Sequence, residues 1–382
     1  MNKLIPIVLL FFFSGCTFAQ FNSRLEKKLE ADIEDYSLDD FDHIEAALIL
    51  SGADTPDSLD YYRAWYDQLL QTIKAFNFDP YDRIISASKV FAYLHSSWLI
   101  TYKEEATTLL NVVKEKRFNC VAGTILYNLI CQDLGWPTEA FETPSHTYTI
   151  FSDFGREITV ENTSPIGFNI MRNLQDYSRY LLQFYPKNQA YQIGLDRIYA
   201  YENSKGRHIT NTELLGLLAY NRAYFANKKN HFSEAYDFVM LAQKFNRDSR
   251  SNINFEINLY YRWGKQLFDQ HNFQRAFRVF ADAYYRYWEN KDFANNCRLA
   301  YTMAQQQHWH DKDWFAFQQL TNEILDLDLM DENGYEDLRG YMINWLNFYQ
   351  QTKPQADLSA MASYWLDVFP EDSFLKSLNK SP

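Results

Sequence analysis

The sequence predicts an α+β protein, predominantly helical, with one small antiparallel sheet set between two long helical regions. Three observations lead there. Only 12 Gly and 10 Pro occur among 382 residues, too few turn-formers for a many-stranded sandwich or barrel. Apolar residues recur at helical spacing before residue 116 and again after residue 213. Between these regions the period falls to two, and Thr, Tyr, Ile and Val mark short strands. An aromatic share of 18% excludes a disordered chain. The 37 basic and 49 acidic residues give a net charge of −12; with no long Lys/Arg run, nucleic acid is not an expected partner.

The N-terminus has the pattern of an export signal. Met1-Asn2-Lys3 precedes an apolar run from Leu4 to Phe13, the length of a signal h-region and too short to span a bilayer. Thr17-Phe18-Ala19 offers small residues at the two positions a signal peptidase reads, so residues 1–19 are taken as a signal peptide. The stretch Phe13-Ser14-Gly15-Cys16 resembles a bacterial lipobox, and a lipid anchor at Cys16 is the alternative. On either reading the protein is exported from a bacterial cell, to be periplasmic, outer-membrane-associated or secreted. No later run is long and apolar enough for a transmembrane helix.

Residues 20–85 read as an N-terminal helical segment. Ile44, Ala47, Leu48 and Leu50 lie near helical spacing and Ser51-Gly52 ends them; Asp57 or Ser58 is placed to cap the next helix. The acidic cluster over 30–42 reads as a solvated face. Further helices are expected over 80–99 and 103–116. A helix that starts at Asn119, a good N-cap, and ends at Gly135-Trp136-Pro137 carries Val121, Ile125, Leu129 and Leu134 on its buried side. Three strands follow, over 138–142, 146–152 and 157–163, with Asp153-Phe154-Gly155 between the last two. Residues 187–210 are read as holding a small hairpin around Ser204-Lys205-Gly206.

Chemistry concentrates at Cys120. Three cysteines of the mature chain, Cys120, Cys131 and Cys297, cannot all pair internally. Cys120 and Cys131 share a helix and lie about 16 Å apart, beyond disulfide reach. Cys131 and Cys297 sit among apolar residues and read as core. Cys120 instead stands in the first turn of its helix, where unpaired N–H groups and the helix dipole favour a thiolate. His146 opens one strand and Glu161 lies near the end of the next. A two- or four-residue turn between those strands puts both on one face; a three-residue turn puts them on opposite faces. In the first case Glu161 orients the imidazole that takes the proton from Cys120. Asn119, its neighbouring backbone N–H groups or the amide of Asn162 are the candidate oxyanion donors. No cofactor motif is present, and His308-Trp309-His310-Asp311 reads as a solvated helix–helix loop rather than a metal site.

After residue 213 the sequence repeats itself. Phe232-Ser-Glu-Ala235 with Ala242 recurs as Phe273-Gln-Arg-Ala276 with Ala283, 41 residues later, each after a polar turn. The second unit, Tyr260-x-x-Trp263-Gly264-x-x-Leu267 followed by Ala276, Phe280 and Ala283, resembles the tetratricopeptide pattern. The stretches 314–327 and 340–369 read as two degenerate helix pairs, and the aromatic run Tyr284-Tyr285-Arg286-Tyr287-Trp288 as packing between repeats or, in part, as the lining of a peptide groove.

The residues around Cys120 also resemble a known superfamily. Phe118-Asn119-Cys120 opening a helix, the Leu134-Gly-Trp-Pro137 exit, a strand beginning at His146 and Val160-Glu161-Asn162-Thr163 ending another are similar to the transglutaminase-like cysteine superfamily, over residues 87–168. The segment 44–50, with Asp57-Ser-Leu-Asp-Tyr-Tyr62 and Leu69, is similar to bacterial proteins that join such a domain to C-terminal tetratricopeptide repeats. The resemblance implies a transglutaminase-like (papain-like) domain over 86–210 and an α-α superhelix of tetratricopeptide-like repeats over 211–382. It also implies Cys120 as nucleophile, His146 as base and Glu161 as orienting acid. Glu161 departs from the superfamily's Val-Asp-Pro-Thr pattern, so its longer side chain must fold back. The implied activity is a cysteine hydrolase or acyltransferase on an amide or peptide bond, with a peptide or protein substrate and a protein partner on the repeats. The alternative function is a non-catalytic envelope scaffold that binds proteins or peptides through the repeats.

Overall fold

The structure, a computed structural model, describes residues 24–170, 206–352 and 354–379. The expected signal peptide and most of the expected 187–210 hairpin lie outside them. The described chain is predominantly helical with one small antiparallel sheet. It forms two compact units that divide at Leu259/Tyr260, so the first pair of repeated helices belongs with the sheet rather than with the later repeats.

In the first unit, α1 (Arg24–Asp32) buries Leu25 and Leu29 on one stripe, and the Asp32 carboxylate gathers the N–H groups of Asp39, Asp40 and Phe41 behind it. Helix α2 (His43–Leu50) begins with a capping box between Asp42 and Glu45 and is apolar nearly all round, because it runs through the core. Helix α3 (Pro56–Lys74) is capped by Thr55, not by Asp57 or Ser58: Pro56 takes the first helical position and Ser58 completes a capping box with Thr55. Helix α4 (Arg83–Ser97) follows, with Asp82 as cap.

The expected helix over 103–116 is shorter than its pattern. Strand β1 (Thr101–Tyr102) precedes α5 (Leu109–Glu115), and β2 (Arg117–Phe118) pairs back on β1 in parallel. Helix α6 (Cys120–Asp133) then enters the core with every residue from Val121 to Cys131 buried. Strands β3 (Thr138–Glu142), β4 (Thr147–Asp153) and β5 (Arg156–Val160) form a meander against it. A fourth strand, β6 (Arg207–Ile209), pairs antiparallel with β3, giving the order β5-β4-β3-β6. Helices α7 (Asn211–Lys228) and α8 (Phe232–Phe245) complete the unit. They are tied in by Asn211 to Gln132, His43 to Thr212, Asn221 to Thr107 and Arg222 to the Leu50 carbonyl, and these bonds explain why the first repeat pair is part of this unit.

Helix α9 (Arg250–Asp269) contains the division between the units. The second unit continues through α10 (Phe273–Arg286), α11 (Lys291–Asp311), α12 (Trp314–Asp326), α13 (Glu332–Gln350), α14 (Gln355–Val368) and α15 (Ser373–Leu378). Phe317, Met342, Trp345 and Trp365 form its later core. Two sequence readings change here. Tyr285 and Trp288 are 79% and 68% exposed, so they do not pack between repeats. The 308–311 stretch belongs to α11 rather than to a loop; His308 is buried while His310 is exposed beside Asp311. Among the described residues no helix is long and apolar enough to cross a membrane.

Candidate functional site

Three sequence-predicted residues meet at the N-terminal end of α6. Asn119 has extended backbone angles and its Oδ1 accepts the N–H of Ala122 at 3.1 Å. That cap sets Cys120 as the first helical residue, half-buried and not in a disulfide. The β4–β5 turn holds two residues, Phe154 and Gly155, both at positive φ, as a type I′ turn requires. The register is therefore Asp153 to Arg156 and Thr149 to Val160. One step further, Glu161 falls opposite Tyr148, which puts it on the face of His146 and diagonal to it.

His146 itself closes the four-residue connection from β3. The Thr143 N–H donates to the His146 carbonyl at 2.8 Å, and the His146 N–H donates to Thr143 Oγ1 at 3.0 Å. The ring Nε2–H then donates to Glu161 Oε2 at 2.7 Å. The Glu161 side chain is fully buried, and its other oxygen accepts the N–H and hydroxyl of Thr163. Both oxygens of the longer glutamate are thus held, one by His146 and the other by Thr163. The Cys120 thiol lies near enough to the imidazole to favour its protonated form. Burial opposes charge on the ring, but the Glu161 carboxylate and Cys120 outweigh it and hold the His146 pKa well above the ordinary histidine value.

Both candidate oxyanion amides are engaged elsewhere. Asn119 Nδ2 donates to the Glu104 carbonyl at 3.0 Å. Asn162 Nδ2 donates to Thr149 Oγ1 at 2.8 Å and Thr124 Oγ1 at 3.2 Å, inside a buried network that continues through Asn128 to Asn211. Each side chain therefore builds the frame of the site. With the Ala122 N–H taken by the Asn119 cap, the Cys120 and Val121 N–H groups, which have no intrahelical acceptor, remain as the first-turn donors.

Several residues at the site carry no signal in the sequence. Gly167 lies so close that a Cβ there would stand 2.0 Å from the Glu161 carbonyl oxygen, and its own carbonyl accepts the Glu161 N–H at 3.0 Å. His95, for which the sequence suggested no role, is buried against Phe91 and Phe118 with ring centroids 4.4 and 5.9 Å away. Burial pushes its pKa down to about 4 despite a bond to the Leu99 carbonyl and the nearby Glu161 charge. The ring is therefore neutral and does not compete with His146 for the role of base. Cys131 and Cys297 are fully buried, and burial pushes both thiols well above the ordinary range. No group of three metal-binding side chains occurs among the described residues.

No family model matches the chain, and no curated protein matches it. Among solved structures it is similar to menin, described as revealing the binding site for Mixed Lineage Leukemia (MLL) protein, at 10% identity and a TM-score of 0.38, over 89% of this chain and 82% of that one.

Proposed function

We propose that this is an exported, transglutaminase-like cysteine hydrolase or acyltransferase acting on an amide or peptide bond, with a helical-repeat region that binds a protein partner. One observation carries the reading. The His146 ring is bonded through one nitrogen to the buried Glu161 carboxylate and lies near the Cys120 thiol at a helix N-terminus. A carboxylate that fixes the ring and stabilises its protonated form lets the imidazole take the thiol proton and later return it.

The Cys120 sulfur attacks the carbonyl carbon, and the carbonyl π pair moves to oxygen. Collapse restores the carbonyl, breaks the C–N bond and releases the amine with the proton from His146. Water or a second amine then resolves the thioester. Hydrolysis of a peptide or isopeptide is preferred over cross-linking on analogy with the superfamily.

The test is selective alkylation. At neutral pH iodoacetamide is expected to label Cys120 well before Cys131 and Cys297, and His146→Ala to slow that labelling. Equal, slow labelling of all three thiols would overturn the reading and leave the scaffold function.

A further inference from the structure

The stretch that delivers the nucleophile is clamped to the strand β1, and β1 carries a tyrosine. Tyr102 stands in register with Phe118 in the parallel β1–β2 pair. The clamp is continuous: Thr101 N–H donates to the Lys116 carbonyl at 3.1 Å, Lys103 N–H to the Phe118 carbonyl at 2.9 Å, and Asn119 Nδ2 to the Glu104 carbonyl at 3.0 Å. Tyr102 and Phe118 project on the same side, with ring centroids 5.9 Å apart and edge to face.

Asn119 is extended, so the alternation of side chains carries on past Phe118 and places Cys120 on the side of Phe118 and Tyr102. Cys120 is thus the diagonal neighbour of Tyr102. Paired strands lie about 4.8 Å apart and two residues advance about 6.6 Å, a diagonal that an aromatic side chain bridges. After burial, the groups that hold the phenol in its protonated, donating form are Cys120, Glu104 and Glu161, the first and last being members of the triad. His146 immediately precedes a strand of the four-stranded sheet, whereas Tyr102 lies on the separate two-stranded one.

We propose that Tyr102 donates its O–H to the oxyanion formed when Cys120 attacks a carbonyl carbon, as the side-chain partner of the first-turn N–H groups of α6. The proposal rests on the cysteine-hydrolase reading and adds a phenolic donor to a site where the Asn119 and Asn162 amides hold the frame. In the step concerned the thiolate sulfur bonds to the carbonyl carbon and the π pair becomes the oxyanion lone pair held by the phenol. On collapse the pair returns and the leaving group departs with its bonding electrons.

Alkylation and acylation separate the two ideas. Iodoacetamide displaces iodide at a saturated carbon and forms no oxyanion, whereas p-nitrophenyl acetate acetylates a thiol through one and releases p-nitrophenolate. Tyr102→Phe keeps the ring on Phe118 and removes only the donor. It is expected to alkylate Cys120 within about twofold of the unaltered protein but to acetylate it on the order of 100-fold more slowly, the loss of one oxyanion donor. Thermal melting checks that the variant is folded; if it is not, Tyr102→Met, of similar bulk and without a donor, is read by the same pair of rates. Equal acetylation of variant and unaltered protein would overturn the role of Tyr102. So would a parallel fall in both rates, which would mean that Tyr102 acts on the thiolate. An unaltered protein that alkylates at Cys120 but is not acetylated overturns it too. Failure of selective alkylation in the unaltered protein is a different result and defeats the cysteine-hydrolase reading itself.

Discussion

Glu161 reaches His146 across a diagonal, not across a rung: the pair Thr149–Val160 puts Glu161 opposite Tyr148, and the carboxylate extends to the ring at 2.7 Å. A glutamate suits that diagonal because its extra methylene supplies the length an aspartate lacks. With Thr163 holding the second oxygen, the carboxylate is fixed as an acceptor for the imidazole. Replacing the charge while keeping the shape should release the ring. Glu161→Gln is expected to bring the His146 pKa down from its raised value, since burial is then opposed chiefly by Cys120. An NMR titration of the His146 ring reads this directly. Labelling of Cys120 should slow at least about tenfold, the rate equivalent of about 1.4 kcal/mol. An unchanged titration would show that the carboxylate does not govern the ring.

Gly167 leads to a second prediction, because it presses on the backbone of the same residue. A Cβ at 167 would meet the Glu161 carbonyl oxygen at 2.0 Å and its carbonyl carbon at 2.8 Å, and backbone cannot swing aside as a side-chain tip can. Gly167→Ala must push the two segments apart, at a cost of about 1–3 kcal/mol. Urea unfolding should show the lost stability. The molecules that stay folded should label more slowly at Cys120, because the displacement begins at the residue that orients His146. Normal labelling in a destabilised variant would mean that the loop yields without moving the carboxylate.

How much of this was legible beforehand depended on the range of each signal. Strand β3 matches the expected bounds, and the helix start at Asn119 was set by a local cap. The meeting of His146 with Glu161 hinged on one number, the length of the Phe154-Gly155 turn, which the sequence left open between cases. The β1–β2 pair left no trace, since strands of two residues have no period to read. Pro56 at the first helical position points to Thr55 as the cap of α3, but Asp57 and Ser58, also good cap types, compete with that signal along the chain. Thr163, Gly167 and Tyr102 gain their importance from neighbours brought close by folding, and no spacing along the chain encodes that.

Asn162 separates frame from chemistry. Its Nδ2 donates to Thr149, Thr124 and the Val160 carbonyl in a fully buried site. Asn162→Ala strands two hydroxyl acceptors and leaves a void, so a loss of about 1–3 kcal/mol is expected. The alkylation rate of Cys120 in the folded fraction should stay near that of the unaltered protein. Acetylation by p-nitrophenyl acetate should also persist, because the amide points into the network rather than at the sulfur. A selective loss of acetylation with normal stability would return Asn162 to the oxyanion site.

The docking of α1 gives a pH dependence whose sign follows from charge. Asp237 on α8 faces Glu26 and Glu30 of α1 and Glu234 of its own helix. The nearby cations are committed: Arg222 bonds Glu26 and the Leu50 carbonyl, and Lys244 bonds Glu30 and Glu34. Burial first, then those carboxylates, push the Asp237 pKa up to about 7, against an unfolded value of about 3.9. Between these values the folded state holds a proton that the unfolded state does not. Stability from this group is therefore greatest at low pH and declines as pH rises through the window, reaching its minimum above about pH 7. Asp237→Asn removes the charge at every pH. It should raise Tm at pH 8, on the order of 2 °C for a change of about 1 kcal/mol in a unit of this size, and leave Tm near pH 4 nearly unchanged. An equal shift at both pH values would assign the effect to packing, and no shift at pH 8 would mean that Asp237 is not strained by its acidic neighbours.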